Sequence, residues 1–287
     1  MRVTIYDDRP CKLGEGALWH PQRGQLFWFD IEGRRLMTRE DGTAREWRFE
    51  TRVSAAGWID RDTLMVAGQG ALMHFDLRSG RAEPLAALEA DNPVTRSNDG
   101  RADPWGGFWI GTMGRNAEPG AGAIWRYFRG ELRLLHAPLT IPNAICFAPD
   151  GSHAYFCDTP RRQVMRQRLD GRAGWPAAEP ELHLDLRAEG LNPDGAVVDA
   201  EGNLWLAEWG ASRVACHAPD GRFLRAVTFP AAHTSCPALG GEGLTTLFCT
   251  SARQGLAAAD IALSPENGMT FAAAEVAKGQ AEHRVEP

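Results

Sequence analysis

Six short apolar segments recur along the chain: LFWFD (26–30), LMVAG (64–68), FWIGT (108–112), AYFCD (154–158), LWLAE (204–208) and LFCTS (247–251). With Phe27, Leu64, Phe108, Tyr155, Leu204 and Leu247 as reference points, the spacings are 37, 44, 47, 49 and 43 residues. A period in the forties, built from strand-like units and turns, is that of a β-propeller blade. Six reference points predict six blades. A polar turn, Gly- or Pro-containing in all but IDRD, precedes each one: HPQRGQ, IDRD, ADPWGG, APDG, DAEGN and ALGGEG. Further short strands follow, as in AIWRYF, QVMRQRL and RVACHA. No segment sustains a helical period, residues 257–260 are too short to read as a helix, and 31 glycines and 18 prolines suit turns better than helices. The expected fold is all-β: one domain over residues 1–287, a six-bladed β-propeller of four-stranded antiparallel blades. The main rival, a β-sandwich, gives no reason for regular units along the whole chain. The strand VTIY (3–6) is expected to close the ring in the last blade, beside a strand near residues 269–276.

Composition narrows the partners. The 287 residues carry a net charge of −6 with no basic block, which argues against nucleic acid or an anionic membrane as a partner. No apolar run approaches the length of a membrane span. The N-terminus, MRVTIYDDRPCKLGEG, lacks a signal-peptide core, so the expected setting is the cytoplasm. The sequence leaves the oligomeric state open, a monomer included. Cys11, Cys146, Cys157, Cys216, Cys236 and Cys249 show no C-x-x-C spacing, and free thiols are expected. His20, in a turn, and His74 and His217, in strand-like runs, are expected to be structural. Trp28, Trp109 and Trp205, in the reference strands, are expected to be blade core rather than sugar-stacking surfaces.

Stepping back from each reference residue to the start of its hairpin reaches Glu15, Ser54, Asn98, Asn143, Asp194 and Ser235, at offsets of 12, 10, 10, 12, 10 and 12. All six carry a side-chain oxygen. The innermost strand of a propeller blade borders the central channel, so equivalent positions at its start surround one mouth. Glu15, Asn98, Asn143 and Asp194 are therefore expected to converge. An Asp-Gly pair such as Asp194-Gly195 or Asp99-Gly100 is ordinarily a turn. This hairpin, however, already has its turn at residues 199–203. Two carboxylates and one or two amides offer hard oxygen donors, suited to calcium, magnesium or manganese.

These residues sit in blocks that resemble a known family. LGEGALWHPQRGQLFWFDI, RSNDGRADPWGGFWIGTMG, PNAICFAPDGSHAYFCDT and NPDGAVVDAEGNLWLAEWG are similar to the SMP-30/gluconolactonase/regucalcin family over roughly residues 13–255. The resemblance implies a six-bladed propeller with one divalent cation in its channel, and in many members hydrolysis of sugar lactones. It carries the metal ligands onto Glu15, Asn143 and Asp194, and substrate contacts onto Arg96 and Asn98. A further acidic contact is implied after GTM. In GTMGRNAEPGAG, Asn116 and Glu118 both fall there, and Glu118 is the preferred choice. Calcium is the favoured cation, with zinc, magnesium, manganese and iron(II) as alternatives.

The expected activity is therefore a metal-dependent hydrolase opening an aldonolactone to its acid. Charge on the carbonyl oxygen would be stabilised by the cation. Asp194 is the general base the resemblance suggests. Because a cation-bound carboxylate is a weakened base, its second oxygen or hydroxide on the cation is the alternative. No G-x-S-x-G, H-E-x-x-H or P-loop motif occurs. Two rival functions are a phosphotriesterase-like propeller and a non-catalytic calcium-binding propeller.

Overall fold

The structure is a computed structural model that describes residues 2–287. Six four-stranded antiparallel sheets stand in a ring, a six-bladed β-propeller. In blades I to V the strands run in chain order from the centre outwards. Their innermost strands are Gly14–His20, Val53–Trp58, Thr95–Ala102, Pro142–Phe147 and Asn192–Val198. Blade VI draws on both ends of the chain. His233–Gly240, Thr246–Ala252 and Thr270–Ala273 are followed outwards by Val3–Asp7, with Val3 opposite Ala273 and Ile5 opposite Phe271. Each innermost strand packs against those of the blades before and after it, which closes the ring.

The recurrent apolar segments form the second strand of every blade, and their reference residues are buried. Period-2 alternation sends their side chains to both faces of a blade, and each face meets the next blade. The core is accordingly six separate clusters, one per blade junction. Phe27, Phe29, Val53 and Phe75 join blades I and II; Trp109, Ile145 and Phe156 join III and IV; Val197, Trp205 and Phe271 join V and VI. Trp28, Trp109 and Trp205 are fully buried in these junctions. Turns are tied by their own acids: Asp199 Oδ1 accepts the backbone N–H groups of Glu201 and Asn203, and Asp103 Oδ1 those of Trp105 and Gly107.

Residues 258–260 belong to a six-residue helix, Ala258–Leu263, with Ala257 at its N-cap, on the return to the third strand of blade VI. His20 ends an inner strand rather than occupying a turn. It is fully buried, with Nε2 3.0 Å from the Asp60 carbonyl oxygen. All six cysteines are free and buried. No helix among the described residues is long and apolar enough to cross a membrane.

The C-terminal residues form a strap across the ends of the inner strands. Ala200 N–H donates to Lys278 O, and the Gln280 amide donates to Phe147 O and Val198 O. Trp58 Nε1 donates to Glu282 O, and Val285 and Glu286 N–H donate to Trp58 O and Gly106 O. Val285 is fully buried in the junction of blades II and III. At the channel axis, Glu282 pairs with Arg101, whose guanidinium also donates to Ala196 O. The strap thus covers one mouth of the channel. The other mouth, where the inner strands begin, is left to the candidate site.

Candidate functional site

At that mouth lies a cavity of about 480 Å³. Glu15, Arg96, Asn98, Asn143 and Asp194 all line it, although they come from four blades. Ser54 and Ser235 do not. Ser54 Oγ donates to Asn98 O, and Ser235 Oγ donates to Gly14 O, so both bind adjacent blades together.

The six polar positions are not strictly equivalent on their ladders. Every innermost strand carries one extra residue opposite its second strand, a β-bulge next to the polar residue. In blades I and IV the polar residue is still paired, Glu15 with Phe29 and Asn143 with Cys157, and the next residues, Gly16 and Ala144, both have φ of 58°. In blades III and V the polar residue follows the last pair: Asn98 comes after Ser97, and Asp194 after Pro193. The bulge re-aims each side chain into the channel. Asp194-Gly195 is therefore not a turn. Gly195 is needed because a Cβ there would sit 2.8 Å from the Ser235 carbonyl oxygen of the next blade.

A hydrogen-bonded chain fixes the amides. Arg96 Nη1 donates to Asn98 Oδ1 (2.8 Å), and Asn98 Nδ2 donates to Asn143 Oδ1 (2.9 Å) and Pro142 O (3.0 Å). Asn143 Nδ2 donates to Thr159 Oγ1 (2.9 Å), which donates to Pro193 O beside Asp194 (2.8 Å). The orientation of Asn143 is thus set from both ends, with its carbonyl oxygen on the Asn98 side.

The two carboxylates have no such compensation. Glu15 accepts one bond, from Gly16 N–H at 3.2 Å, and neither Glu15 nor Asp194 forms an ion pair among the described residues. Burial, and then the charge of Asp99, push Glu15 up to about 8. Burial, then Glu15, then Asp99 push Asp194 well above the carboxylate range. Asp99 follows Asn98 but does not line the cavity; its Oδ2 is held by Ile145 N–H at 2.7 Å, and burial raises it to about 6. Arg96 is the cation nearest this group, and burial lowers it to about 10 against the opposing pull of Glu32 and Glu15. Its Nε is buried with no partner.

Two buried carboxylates without an ion-pair partner, beside an oriented amide oxygen, form a hard-oxygen set that fits a divalent cation. Among the described residues, no group of three or more His, Cys, Asp or Glu side chains is arranged to hold a metal. A cation here depends on the amide of Asn143.

The segment after GTM differs from expectation. Asn116, not Glu118, lines the cavity. Glu118 stands behind it and accepts the Asn116 backbone N–H (3.0 Å) and Nδ2 (2.9 Å). Several wall residues were not anticipated: Glu32, Thr159, Asn192, Trp209 and Gln254. Glu32 lies in the loop between the second and third strands of blade I and is held by Arg52 at 2.8 and 3.1 Å. These residues lie on loops and strand ends, where no period applies. Only Asn192 had a signal, sitting two residues before Asp194 on the same strand.

Known proteins match along the whole ring. L-arabinolactonase from Azospirillum brasilense is 39% identical over 95% of this chain and 91% of its own length. 6-Deoxy-6-sulfogluconolactonase from Pseudomonas putida is 31% identical over 92% of this chain and 91% of its own. The crystal structure of regucalcin from Agrobacterium tumefaciens, described as a calcium-binding protein, superposes with a TM-score of 0.96. It is 37% identical and covers 99% of this chain and 97% of its own. Residues 13–253, which hold Glu15, Asn143 and Asp194, match the SMP-30/Gluconolactonase/LRE-like region, and the chain belongs to that family.

Proposed function

We propose that this protein hydrolyses a sugar lactone, opening an aldonolactone to the aldonic acid with the help of one divalent cation held by Glu15, Asn143 and Asp194. The observation that carries the proposal is the pair of buried carboxylates without an ion-pair partner in a cavity whose wall also carries Arg96, Asn98, Asn116 and Asn143. The lactonase relatives supply the reaction class. Calcium is the favoured cation, given hard oxygen donors and a relative described as calcium-binding.

When bound, the cation supplies positive charge where the carbonyl oxygen becomes negative during water addition. Arg96, Asn98 and Asn116 line the approach and hold ring hydroxyls, with Glu118 orienting Asn116 from behind. The Arg96–Asn98–Asn143 chain couples the substrate side to the ligand side, so the amides are ordered before substrate arrives. Asp194 takes a proton from the attacking water as the new C–O bond forms. The ring C–O bond then breaks, and the ring oxygen receives a proton to become the hydroxyl of the acid.

A second reading, calcium binding without turnover, draws on the same regucalcin likeness. The deciding experiment is a lactone panel run on purified protein, chelator-treated protein, and chelator-treated protein resupplied with Ca²⁺, Mg²⁺, Mn²⁺, Zn²⁺ or Fe²⁺. Turnover that chelation removes and one cation restores supports the proposal. Tight cation binding with no turnover of any lactone supports the second reading.

A further inference from the structure

Trp209 stands apart from the tryptophans of the blade core. It ends the second strand of blade V, Leu204–Trp209, and pairs across the ladder with Asn192, two residues before Asp194. Trp209 and Asn192 therefore share one face of the sheet, and both line the cavity with Asp194. One face of the indole is covered by the His233 imidazole, with ring centroids 4.2 Å apart and planes 20° apart. His233 is pinned in turn, its Nδ1 2.9 Å from Gln254 O, and burial lowers its proton affinity, so the backing ring is neutral.

The indole also packs against the core cluster between blades I and II, so its plane is fixed, and the part left exposed lines the cavity. Its indole N–H is, among the described residues, neither buried nor bonded to an acceptor. The indoles of Trp58 and Trp205, by contrast, each donate to the protein. Trp28 and Trp109, buried in the core away from the cavity, also leave their indole N–H groups unpartnered, so it is the place of Trp209 on the cavity wall that sets its N–H before a ligand.

We infer that Trp209 is the specificity wall of this site: its backed indole plane receives the C–H face of a sugar-lactone ring, and its N–H one of that ring's hydroxyls. The inference deepens the lactonase reading and rests on it. The chemistry is complementary. Arg96, Asn98 and Asn116 offer polar groups to hydroxyl edges, and without Trp209 no aromatic plane would serve the apolar face of the same ring. A simple aliphatic lactone has neither the hydroxyls nor the extent to use both walls, so discrimination between the two classes falls to these groups.

The test compares the cation-loaded wild type with Trp209→Phe and Trp209→Ala on L-arabinono-1,4-lactone, D-glucono-1,5-lactone and γ-butyrolactone. Trp209→Ala should raise KM for both sugar lactones about tenfold, about 1.4 kcal/mol, with kcat and the γ-butyrolactone KM changed less than about twofold. Trp209→Phe should keep most of the affinity. In parallel, titration with the aldonate products should quench wild-type indole fluorescence and leave that of Trp209→Phe unchanged, a readout that remains if the alanine variant does not fold. Unchanged sugar-lactone KM in Trp209→Ala, an equal rise for γ-butyrolactone, or equal quenching in Trp209→Phe would overturn the inference. If the wild type opens no lactone yet the aldonate still quenches Trp209, the lactonase reading fails and the wall stands.

Discussion

Glu15 offers the sharpest test of the cation site, because its effect on the cation-free protein can be worked out in advance. Its ordinary value is 4.5 and the fold raises it to about 8, chiefly by burial. A raised carboxyl favours the protonated form in the native state. Its contribution to stability is therefore complete below about pH 4.5, the unfolded value, and is lost progressively as pH rises to about 8. The gap between the two values is worth about 5 kcal/mol, and Asp194 pulls in the same direction. Glu15→Gln fills nearly the same space and has no charge to bury.

In the presence of chelator, the stability difference between Glu15→Gln and wild type should therefore grow from near zero below pH 4.5 to about 5 kcal/mol in favour of the variant above pH 8. For a chain of this length that is roughly 8 °C in Tm. With the cation present the order should reverse, since ligation stabilises only the wild type and releases the Glu15 proton. Differential scanning calorimetry across pH 4.5–8.5, with and without Ca²⁺, reads both effects. A difference that stays flat with pH in chelator, or a variant stabilised by Ca²⁺ as much as the wild type, would refute the argument.

Other substitutions separate the roles of the remaining groups. Asp194→Asn should weaken cation affinity sharply by calorimetric titration and abolish turnover; saturating cation should restore turnover only if Asp194 is not the proton acceptor. Arg96→Ala should raise KM by ten- to a hundredfold, about 1–3 kcal/mol, while cation affinity holds or rises, because the guanidinium's charge opposes a cation beside Glu15. Asn98→Ala should cost substrate affinity by a similar factor. It should also weaken cation binding modestly in the same titration, because it frees Asn143 Oδ1 from its donor. Glu282→Ala leaves Arg101 charged and buried at the strap, which should cost about 3–5 kcal/mol in urea denaturation.

Much of this architecture was legible in the sequence, for a physical reason. A propeller repeats one unit, so each second strand meets the same neighbours and shows the same apolar run, from Phe27 to Leu247. The ring converts repeat number into angle around one axis. Residues at the head of each unit, far apart in sequence, then become neighbours at the channel mouth, as Asn98 and Asn143 are at 2.9 Å. What the period could not carry was the detail of each bulge. Even offsets suggest one shared ladder position, yet Glu15 and Asn143 precede the slip while Asn98 and Asp194 fall within it. Backbone conformation decides which way those side chains point, and an extra residue inverts the alternation on which offset counting depends.

The unread part of the site has a different origin. Glu32, Thr159, Asn116 and Gln254 sit where chains leave the blades, so each is placed by its own contact rather than by the repeat: Glu32 by Arg52, Thr159 by Pro193 O, Asn116 by Glu118, and Gln254 by its N–H on Lys12 O. Glu118 illustrates the consequence. Its carboxylate matched the chemistry expected after GTM, but two bonds to Asn116 turn it into a support and put the amide in the wall. The division matches what each part has to do. The floor, Glu15, Asn143 and Asp194, is built on inner strands locked between blades, which suits a charge constellation that must not move. The walls stand on loops and strand ends, where one substitution alters the contact offered to a substrate without disturbing the ring. In this fold the hard-oxygen set is therefore readable from periodic positions, whereas the wall residues proposed to choose among lactones, Trp209 and Asn116, are identified only by three-dimensional contacts.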